Sequence, residues 1–272
     1  MHDGYHEEIV AAFREIGDPR YGASVAADRK SKLRYLGLSV PQWRARTKRG
    51  FTFYSLPPDE VLATWDRLWR ESPYGEVLFA ALAYYRKAPK RRPPGFWELV
   101  RHWIGRVDNW AHADELAGLY SEILEVDPAA VLPQLEAWNR SASEWERRVS
   151  LVSLIHYTGK HAVFLPLDTV LPMVTNCLDD HRHAVQAAVG WVLREMGNVY
   201  PADVRAYLEA HGARMSAAAF SRAIERRTAT ERAELRLVAA AGVSAPRDGR
   251  RGARPPGRRR RSSSGRGSPP PQ

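Results

Sequence analysis

Proline and glycine divide this chain into pieces of helix length, and nowhere does an apolar–polar alternation run long enough to indicate a half-buried strand. They recur at intervals of roughly 15 to 20 residues, so that consecutive helices pair into units of about 35 to 45 residues. Units of that size predict an all-α fold, a HEAT-like α-solenoid of stacked antiparallel helix pairs. Such stacks curve, and their concave face suits an extended partner.

Within these pieces, apolar residues recur every three or four positions, as at Ile9, Phe13 and Ile16. Gly17 and Pro19 are typical of residues that end a helix, here the first one. The same reasoning along the chain predicts helices over residues 6–16, 24–34, 39–48, 57–69, 76–86, 96–104, 109–126, 128–138, 143–157, 166–177, 184–196, 201–210, 216–224 and 229–240.

Three of these helices begin with a recognisable capping signal. Ser39, Asn109 and Ser143 carry the short polar side chains that can accept hydrogen bonds from the free N–H groups of a first turn. Pro41 fits inside a first turn, where its missing N–H costs nothing. Ser143 and Glu146 have the spacing of a capping box.

The composition changes near residue 245, where apolar residues give way to Pro, Gly, Ser and Arg. We predict a helical domain over residues 1–240 and a disordered basic tail over 241–272, because the tail has too few apolar side chains to form a core. The stretch from Arg247 to Gln272 holds nine arginines and one aspartate, eight of the ten net positive charges of the chain. Two interpretations stay open: nonspecific binding to nucleic acid through charge, or a dispensable solvated tail.

The remaining composition is that of an ordinary globular protein, 44% hydrophobic and 26% charged. Cys177 is the only cysteine, which excludes an intramolecular disulfide and fits a reducing compartment. The polar start does not resemble a signal peptide, and no apolar run approaches the roughly 18 to 20 residues of a membrane span. We therefore expect a cytoplasmic monomer that does not associate with membranes.

An aromatic ring and a carboxylate, Trp110 and Asp114, lie four residues apart in a predicted helix and so share one face. Each has an ordinary explanation: Asp114 as an exposed acid near a helix start, and Trp110 as a core residue. Arg147 and Arg148 point about 100° apart, so that only one of them can face a groove together with Asp114. Trp191 is likewise either a core residue or part of a site.

Other signals of chemistry are absent or weak. The sequence has no phosphate-binding Walker loop, no GxGxxG and no nucleophile elbow. His181 and His183 fall between predicted helices without the partner ligands of a metal site, and we interpret them as part of a polar loop. Cys177 is interpreted as a small buried hydrophobic residue. Gly190, beside Trp191, is expected to permit close helix packing.

Four segments in order, within residues 30–225, resemble the AlkD-like DNA alkylation repair glycosylases. They are Tyr35-Leu-Gly-Leu-Ser-Val-Pro, Val107-Asp-Asn-Trp-Ala-His-Ala-Asp114, Trp145-Glu-Arg-Arg148-Val-Ser-Leu-Val and Val185-Gln-Ala-Ala-Val-Gly-Trp191-Val-Leu-Arg-Glu.

The resemblance implies a HEAT-like solenoid that cradles duplex DNA and hydrolyses the N-glycosidic bond of N3- and N7-alkylated purines, without metal or cofactor. It implies that Asp114 is the catalytic aspartate. Trp110 and Trp191 would pack against the damaged nucleotide, and Arg148 would hold the DNA backbone. The family's recognition would not require a pocket for a flipped base, unlike that of most glycosylases.

This chemistry is physically consistent. A purine alkylated at N3 or N7 is already cationic, so it leaves without a general acid, and the sugar acquires oxocarbenium character as in glycoside hydrolysis. A carboxylate can stabilise that cation and orient a water molecule. Tryptophan faces attract cations.

The sequence departs from the resemblance at two places. Ala187 stands where the family often has lysine, and no aromatic residue lies between Ser24 and Leu33. These departures, together with the basic tail, support an alternative hypothesis from another class: a noncatalytic helical-repeat module that binds DNA structures or a protein.

Overall fold

The computed structural model describes residues 3–155 and 165–244, and within these ranges it contains fourteen α-helices and no β-strand. Short 3-10 turns cover Thr52–Ser55, Pro89–Arg91, Arg101–Arg106 and Gly212–Arg214. The helices are α1 (Asp3–Arg14), α2 (Pro19–Arg29), α3 (Val40–Arg49), α4 (Pro58–Glu71), α5 (Gly75–Tyr85), α6 (Phe96–Val100), α7 (Trp110–Val126), α8 (Pro128–Asn139), α9 (Glu144–Val152), α10 (Leu167–Asn176), α11 (His183–Met196), α12 (Pro201–His211), α13 (Ala217–Ala223) and α14 (Ala229–Ser244).

The helices stack in two layers. In the first layer α3, α5, α7, α9, α11 and α13 contact one another in succession. The second layer holds α4, α6, α8, α10, α12 and α14, with contacts between α4 and α6, α8 and α10, and α12 and α14. Each layer covers the apolar side of the other, as helix pairs do in a solenoid. The predicted all-α solenoid is therefore confirmed.

Buried tryptophans fill the space between the layers in the first half of the chain. Trp65, Trp69 and Trp103 are essentially inaccessible to solvent. The rings of Trp69 and Trp103 stack with their centroids 4.7 Å apart. The indole N–H groups of Trp69 and Trp103 are satisfied: Trp69 donates to the carbonyl of Trp103 at 2.8 Å, and Trp103 donates to the Asp66 carboxylate at 2.9 Å. Pairing these donors keeps burial of the polar nitrogens from destabilising the core.

The segment that begins at Tyr35 is an extended brace between α2 and α3. The buried carboxylate of Glu76, at the start of α5, accepts the backbone N–H groups of Leu36 (3.0 Å), Gly37 (2.9 Å) and Leu38 (3.3 Å). Gly37 has φ +85°, and a side chain there would collide with the backbone of Asp18. The conformation of this segment thus explains its sequence without reference to a ligand.

The helix predicted over residues 24–34 was wrong in both bounds. Pro19 lies in the first turn of α2 after the N-cap Asp18, whose carboxylate accepts the N–H of Arg20 at 2.8 Å. Proline here begins a helix instead of ending one, because its missing N–H has no partner in a first turn anyway. The helix ends at Lys30, which adopts φ +50°.

Three other predicted helices differ most from those observed. The helix predicted over 96–104 is α6 followed by the 3-10 turn Arg101–Arg106. α9 ends at Val152, and residues 156 and 157 of the predicted helix lie outside the described residues. α14 continues to Ser244, past the proposed domain boundary at 240. Residues 245–272 of the proposed tail are likewise not described. None of the helices in the described ranges has the length and hydropathy to cross a membrane.

Candidate functional site

A cleft of about 840 Å³ opens along the first layer, between the end of α2 and the helices α7, α9, α11 and α13. It brings together Trp110, Asp114, Arg148 and Trp191, the four residues singled out in the sequence. Its other lining residues are Asp28, Arg29, Lys30, Asp108, Glu144, Trp145, His183, Ala184, Ala187 and Arg222.

The start of α7 is held by a buried polar network. The Asn109 side chain caps the helix by accepting the N–H groups of Ala111 (3.1 Å) and His112 (3.2 Å), as its sequence position predicts. Its amide nitrogen donates to Nδ1 of His112 at 2.7 Å, and Nε2 of His112 bonds to the carbonyl of Gly75 at 3.0 Å. A carbonyl can only accept, so the proton of His112 lies on Nε2. This network sets the direction in which α7 leaves the loop.

Two ionisable groups in this network have displaced pKa values. Complete burial lowers the pKa of His112 to about 4, so the imidazole is neutral at pH 7. For Asp108, partial burial opposes the shift, but hydrogen bonds from the side chain of Asn109, the N–H of Lys32 and the hydroxyl of Ser31 together hold the pKa below its ordinary value. Asp108 therefore ties the end of the α2 region to the start of α7 as a carboxylate.

Asp114 lies one turn further along α7, and its carboxylate forms an ion pair with Arg148 from α9. Nε of Arg148 donates to Oδ1 of Asp114, and Nη2 donates to Oδ2, both at 2.9 Å. Nη1 of Arg148 donates to the carbonyl of Ala184 at 2.6 Å, which adds α11 to the same contact. The side chain of Asp114 keeps 19% of its surface exposed, whereas that of Arg148 keeps only 6%. The carboxylate thus faces the cleft with its orientation locked.

Burial raises the pKa of the Asp114 carboxyl above its ordinary value, and the charge and hydrogen bonds of Arg148 counteract that effect. Arg222, on the far wall, also favours the ionised form through its charge. Arg148 therefore keeps the poorly solvated carboxylate of Asp114 ionised and fixes its orientation toward the cleft.

Three tryptophans stand around Asp114. Trp110 is 48% exposed, which is unusual for so large an apolar side chain and excludes the core interpretation. Trp191 is half-buried and its indole N–H donates to Glu195 at 3.1 Å. Trp145, which begins one of the four segments quoted above but was given no role there, lines the same cleft from α9. Its position three residues before Arg148 placed it on the same helix face, and that signal was available.

The structure confirms the sequence interpretation of some neighbouring residues and corrects that of others. Arg147 points away from the cleft and pairs with Asp180 at 3.0 Å. His183 is not in a loop: it begins α11 and lines the cleft. Where the resemblance led us to look for an aromatic residue, the cleft wall is formed by the charged residues Asp28, Arg29 and Lys30. Cys177 is buried, as predicted.

Arg222 reaches the cleft from α13 and has no signal in the sequence that predicts this position. It stands in the Ala-rich segment Ala217-Ala-Ala-Phe-Ser-Arg222, where no local pattern distinguishes it from an ordinary surface arginine.

Among the described residues, no three His, Cys, Asp or Glu side chains are arranged to hold a metal ion.

The fold is similar to that of a solved structure. A predicted DNA alkylation repair enzyme from Enterococcus faecalis superimposes with a TM-score of 0.67 at 16% sequence identity, over 78% of this chain and 97% of that one. AlkD2 from Streptococcus mutans matches with a TM-score of 0.49 at 16% identity, over 83% of this chain and 99% of that one. At such identities the first similarity shows a shared fold. No curated protein sequence matches the chain significantly.

The sequence itself carries the assignment. Residues 9–226 match the family model described as DNA alkylation repair enzyme. The match covers most of the chain and includes all of the helices that form the cleft. This protein is therefore a member of the DNA alkylation repair enzyme family.

Proposed function

We propose that the protein is a DNA glycosylase that hydrolyses the N-glycosidic bond of cationic N3- or N7-alkylated purines in duplex DNA. One observation carries the proposal: a carboxylate, Asp114, is fixed by a bidentate arginine contact in a cleft bordered by Trp110, Trp145 and Trp191. An anion between aromatic faces suits a cationic substrate and a cationic transition state.

In the proposed reaction, the bond between C1′ and the purine nitrogen breaks and its electron pair returns to the purine, which leaves as a neutral base. A water molecule adds to C1′ and loses a proton to solvent, leaving an abasic site. Arg148 occupies two of the roughly four lone-pair positions of the Asp114 carboxylate. The remaining positions face the cleft, where they can stabilise the oxocarbenium-like sugar and accept a hydrogen bond from the attacking water.

The tryptophans would stabilise the same positive charge, that of the alkylated purine and of the oxocarbenium-like sugar. A cation over an indole face is stabilised by about 0.5 to 2 kcal/mol, more where water is excluded. Trp110 offers an exposed ring at the mouth of the cleft and Trp191 lies on the opposite helix, α11. These positions suit contacts with the damaged nucleotide from two sides.

A second, basic cleft of about 350 Å³ supports binding to a phosphate backbone. It lies on the same layer of helices and is lined by Arg44, Lys48, Arg86, Lys87 and Arg91, with Glu115, the residue after Asp114 on α7, as its acid. Five cations against one carboxylate leave an excess of positive charge that attracts a polyanion, with the salt dependence typical of DNA binding.

The test is release of 7-methylguanine and 3-methyladenine from methylated duplex DNA by the wild type and by Asp114→Asn. We expect the substitution to lower the rate by about 100-fold or more, the usual effect of losing one preorganised electrostatic group, while DNA binding survives. Asp28→Asn is the matched control, because it neutralises another carboxylate of the same cleft and should keep the activity. Equal release by Asp114→Asn and the wild type would contradict the role of Asp114 as the catalytic carboxylate.

The alternative function is a noncatalytic module that binds DNA structures. The observation in its favour is the charged wall of Asp28, Arg29 and Lys30 at the place where the resemblance implies an aromatic residue. Tight binding of undamaged or branched DNA, with no base released from methylated DNA, would establish this alternative and reject the glycosylase.

A further inference from the structure

The arginine that the resemblance assigns to the DNA backbone is already occupied. Arg148 has five N–H donors, and three of them bond to Asp114 and to the carbonyl of Ala184. Its side chain is also almost completely buried. A phosphate that approached Arg148 would find only the two remaining N–H groups of an almost completely buried guanidinium, and any further contact would compete with Asp114.

The other arginines near this end of the cleft are also engaged, with one exception. Arg194 pairs with Glu195 and Glu225, and Arg226 pairs with Glu195 at 2.9 Å. On the opposite wall, the guanidinium of Arg29 lies 4.9 Å from the ring centre of Tyr35 and 5.1 Å from that of Phe79.

Arg222 is the exception. It is exposed, it lines the cleft, and within the described ranges it makes no ion pair or side-chain hydrogen bond. Its charge acts on Asp114, which places it within electrostatic reach of the reacting centre. An unpaired arginine has a planar fork of donors that matches a phosphate group.

The position of Arg222 is defined by the packing beneath it. A Cβ atom on Gly190 would lie 2.4 Å from the carbonyl oxygen of Ala219 and 3.0 Å from Cβ of Arg222. The backbones of α11 and α13 therefore touch at Gly190, and Arg222 is held next to Trp191, the following residue on α11. The side chain extends from a rigid helix pair, which suits a residue that positions DNA.

We propose that Arg222 is the phosphate-binding residue of the cleft and positions the DNA strand so that the target sugar faces Asp114. This inference rests on the proposed function, and it adds a charge argument. Free Arg222 would oppose the build-up of positive charge on the sugar, whereas a bound phosphate cancels that repulsion. The environment of Asp114 then favours a cation only when DNA is in place.

The experiment measures the affinity for fluorescently labelled undamaged and methylated duplexes as a function of salt concentration. Compared with the wild type, Arg222→Ala should bind both duplexes several-fold more weakly, and the slope of log K against log salt should fall in magnitude by about 1, the value for one lost phosphate contact. Arg222→Lys keeps the charge and should restore the slope. Arg236→Ala is the matched control: it removes an exposed arginine from α14, in the other layer, and should leave the slope unchanged.

The outcomes separate this inference from the proposed function. If Arg222→Ala binds DNA with the wild-type slope, the role of Arg222 is rejected whatever the activity. If the slope falls but the wild type releases no base, the phosphate contact stands and the glycosylase does not. A slope that falls equally in Arg236→Ala would also overturn the inference, because it would reflect total charge alone.

Discussion

The two sides of the cleft are held in place by different kinds of contact. On the side of α7, the contacts are hydrogen bonds between buried polar groups. Asn109, His112 and the carbonyl of Gly75 form a hydrogen-bonded chain from the start of α7 to the start of α5. On the side of α11 and α13, Gly190 lets two backbones touch, and the polar contact between these helices is at the start of α13, where the N–H of Ser216 donates to the side-chain oxygen of Gln186 at 3.3 Å.

The two kinds of contact determine different features of the site: direction on the side of α7, and distance on the side of α11 and α13. Hydrogen bonds are directional, so the network under α7 determines where Trp110 and Asp114 point. Close packing at Gly190 is not directional but determines distance, and therefore how near Arg222 lies to the carboxylate. Arg148 joins the two sides, since it bonds to Asp114 on α7 and to Ala184 on α11.

Breaking that link should have the largest effect. In Arg148→Ala, Asp114 loses its ion pair in a poorly solvated place, and we expect a loss of about 2 to 4 kcal/mol in the free energy of unfolding, below the top of the range for buried pairs because Asp114 is partly exposed. The pKa of Asp114 should also rise further, because burial is then opposed by the charge of Arg222 without the ion pair and hydrogen bonds of Arg148.

Urea unfolding measures the stability, and the pH dependence of base release measures the pKa. In the proposed reaction base release needs the carboxylate, so it should fall as the pH drops through the pKa of Asp114, and in Arg148→Ala this fall should occur at higher pH. Arg147→Ala is the control, because Arg147 pairs with Asp180 and does not line the cleft. An unchanged acid limb in Arg148→Ala would contradict the role given to this arginine.

Protonating His112 should weaken the α7 side alone. The unfolded chain takes up a proton at this imidazole near pH 6.5, whereas the folded protein does so only at about 4. The unfolded state therefore binds more protons in this window, and the free energy of unfolding should be greatest above pH 6.5 and fall by up to about 3 kcal/mol as the pH decreases to 4.

Urea unfolding of the wild type and of His112→Gln across this pH range tests the prediction. Glutamine does not titrate, so the variant should show a flatter profile even if it is less stable throughout. Profiles of equal steepness would show that other groups dominate the acid sensitivity.

Introducing a side chain between α11 and α13 should have the smallest of these effects. Gly190→Ala places a methyl group against the backbone of α13, and we expect a loss of about 1 to 3 kcal/mol in stability as the helices separate. Because Arg222 would move with α13, DNA affinity should fall as well. Gly105→Ala is the control, since a Cβ at that position meets nothing within 4 Å. Equal stability of the two variants would reject close packing at Gly190 as the determinant of this wall.

The sequence predicted the local features of the site well. The capping position of Asn109 and the placement of Trp110 and Asp114 in one helix follow from interactions within a single turn. The expected close approach at Gly190 is confirmed for the same reason: a missing side chain is visible in the sequence. Pro19 was misread because a proline is compatible with both the end of one helix and the first turn of the next.

The helical fold and the residues that each helix can present on one face were predictable from the order of residues, because both depend on spacings of three and four residues. Which of those faces meet depends on the tertiary structure. It selected Arg148 over Arg147 as the partner of Asp114, brought Trp145 and Arg222 to the same cleft, and buried His112 until it is neutral. These outcomes depend on contacts between helices that lie tens of residues apart in the chain, and on the solvent that packing excludes, which no local pattern encodes.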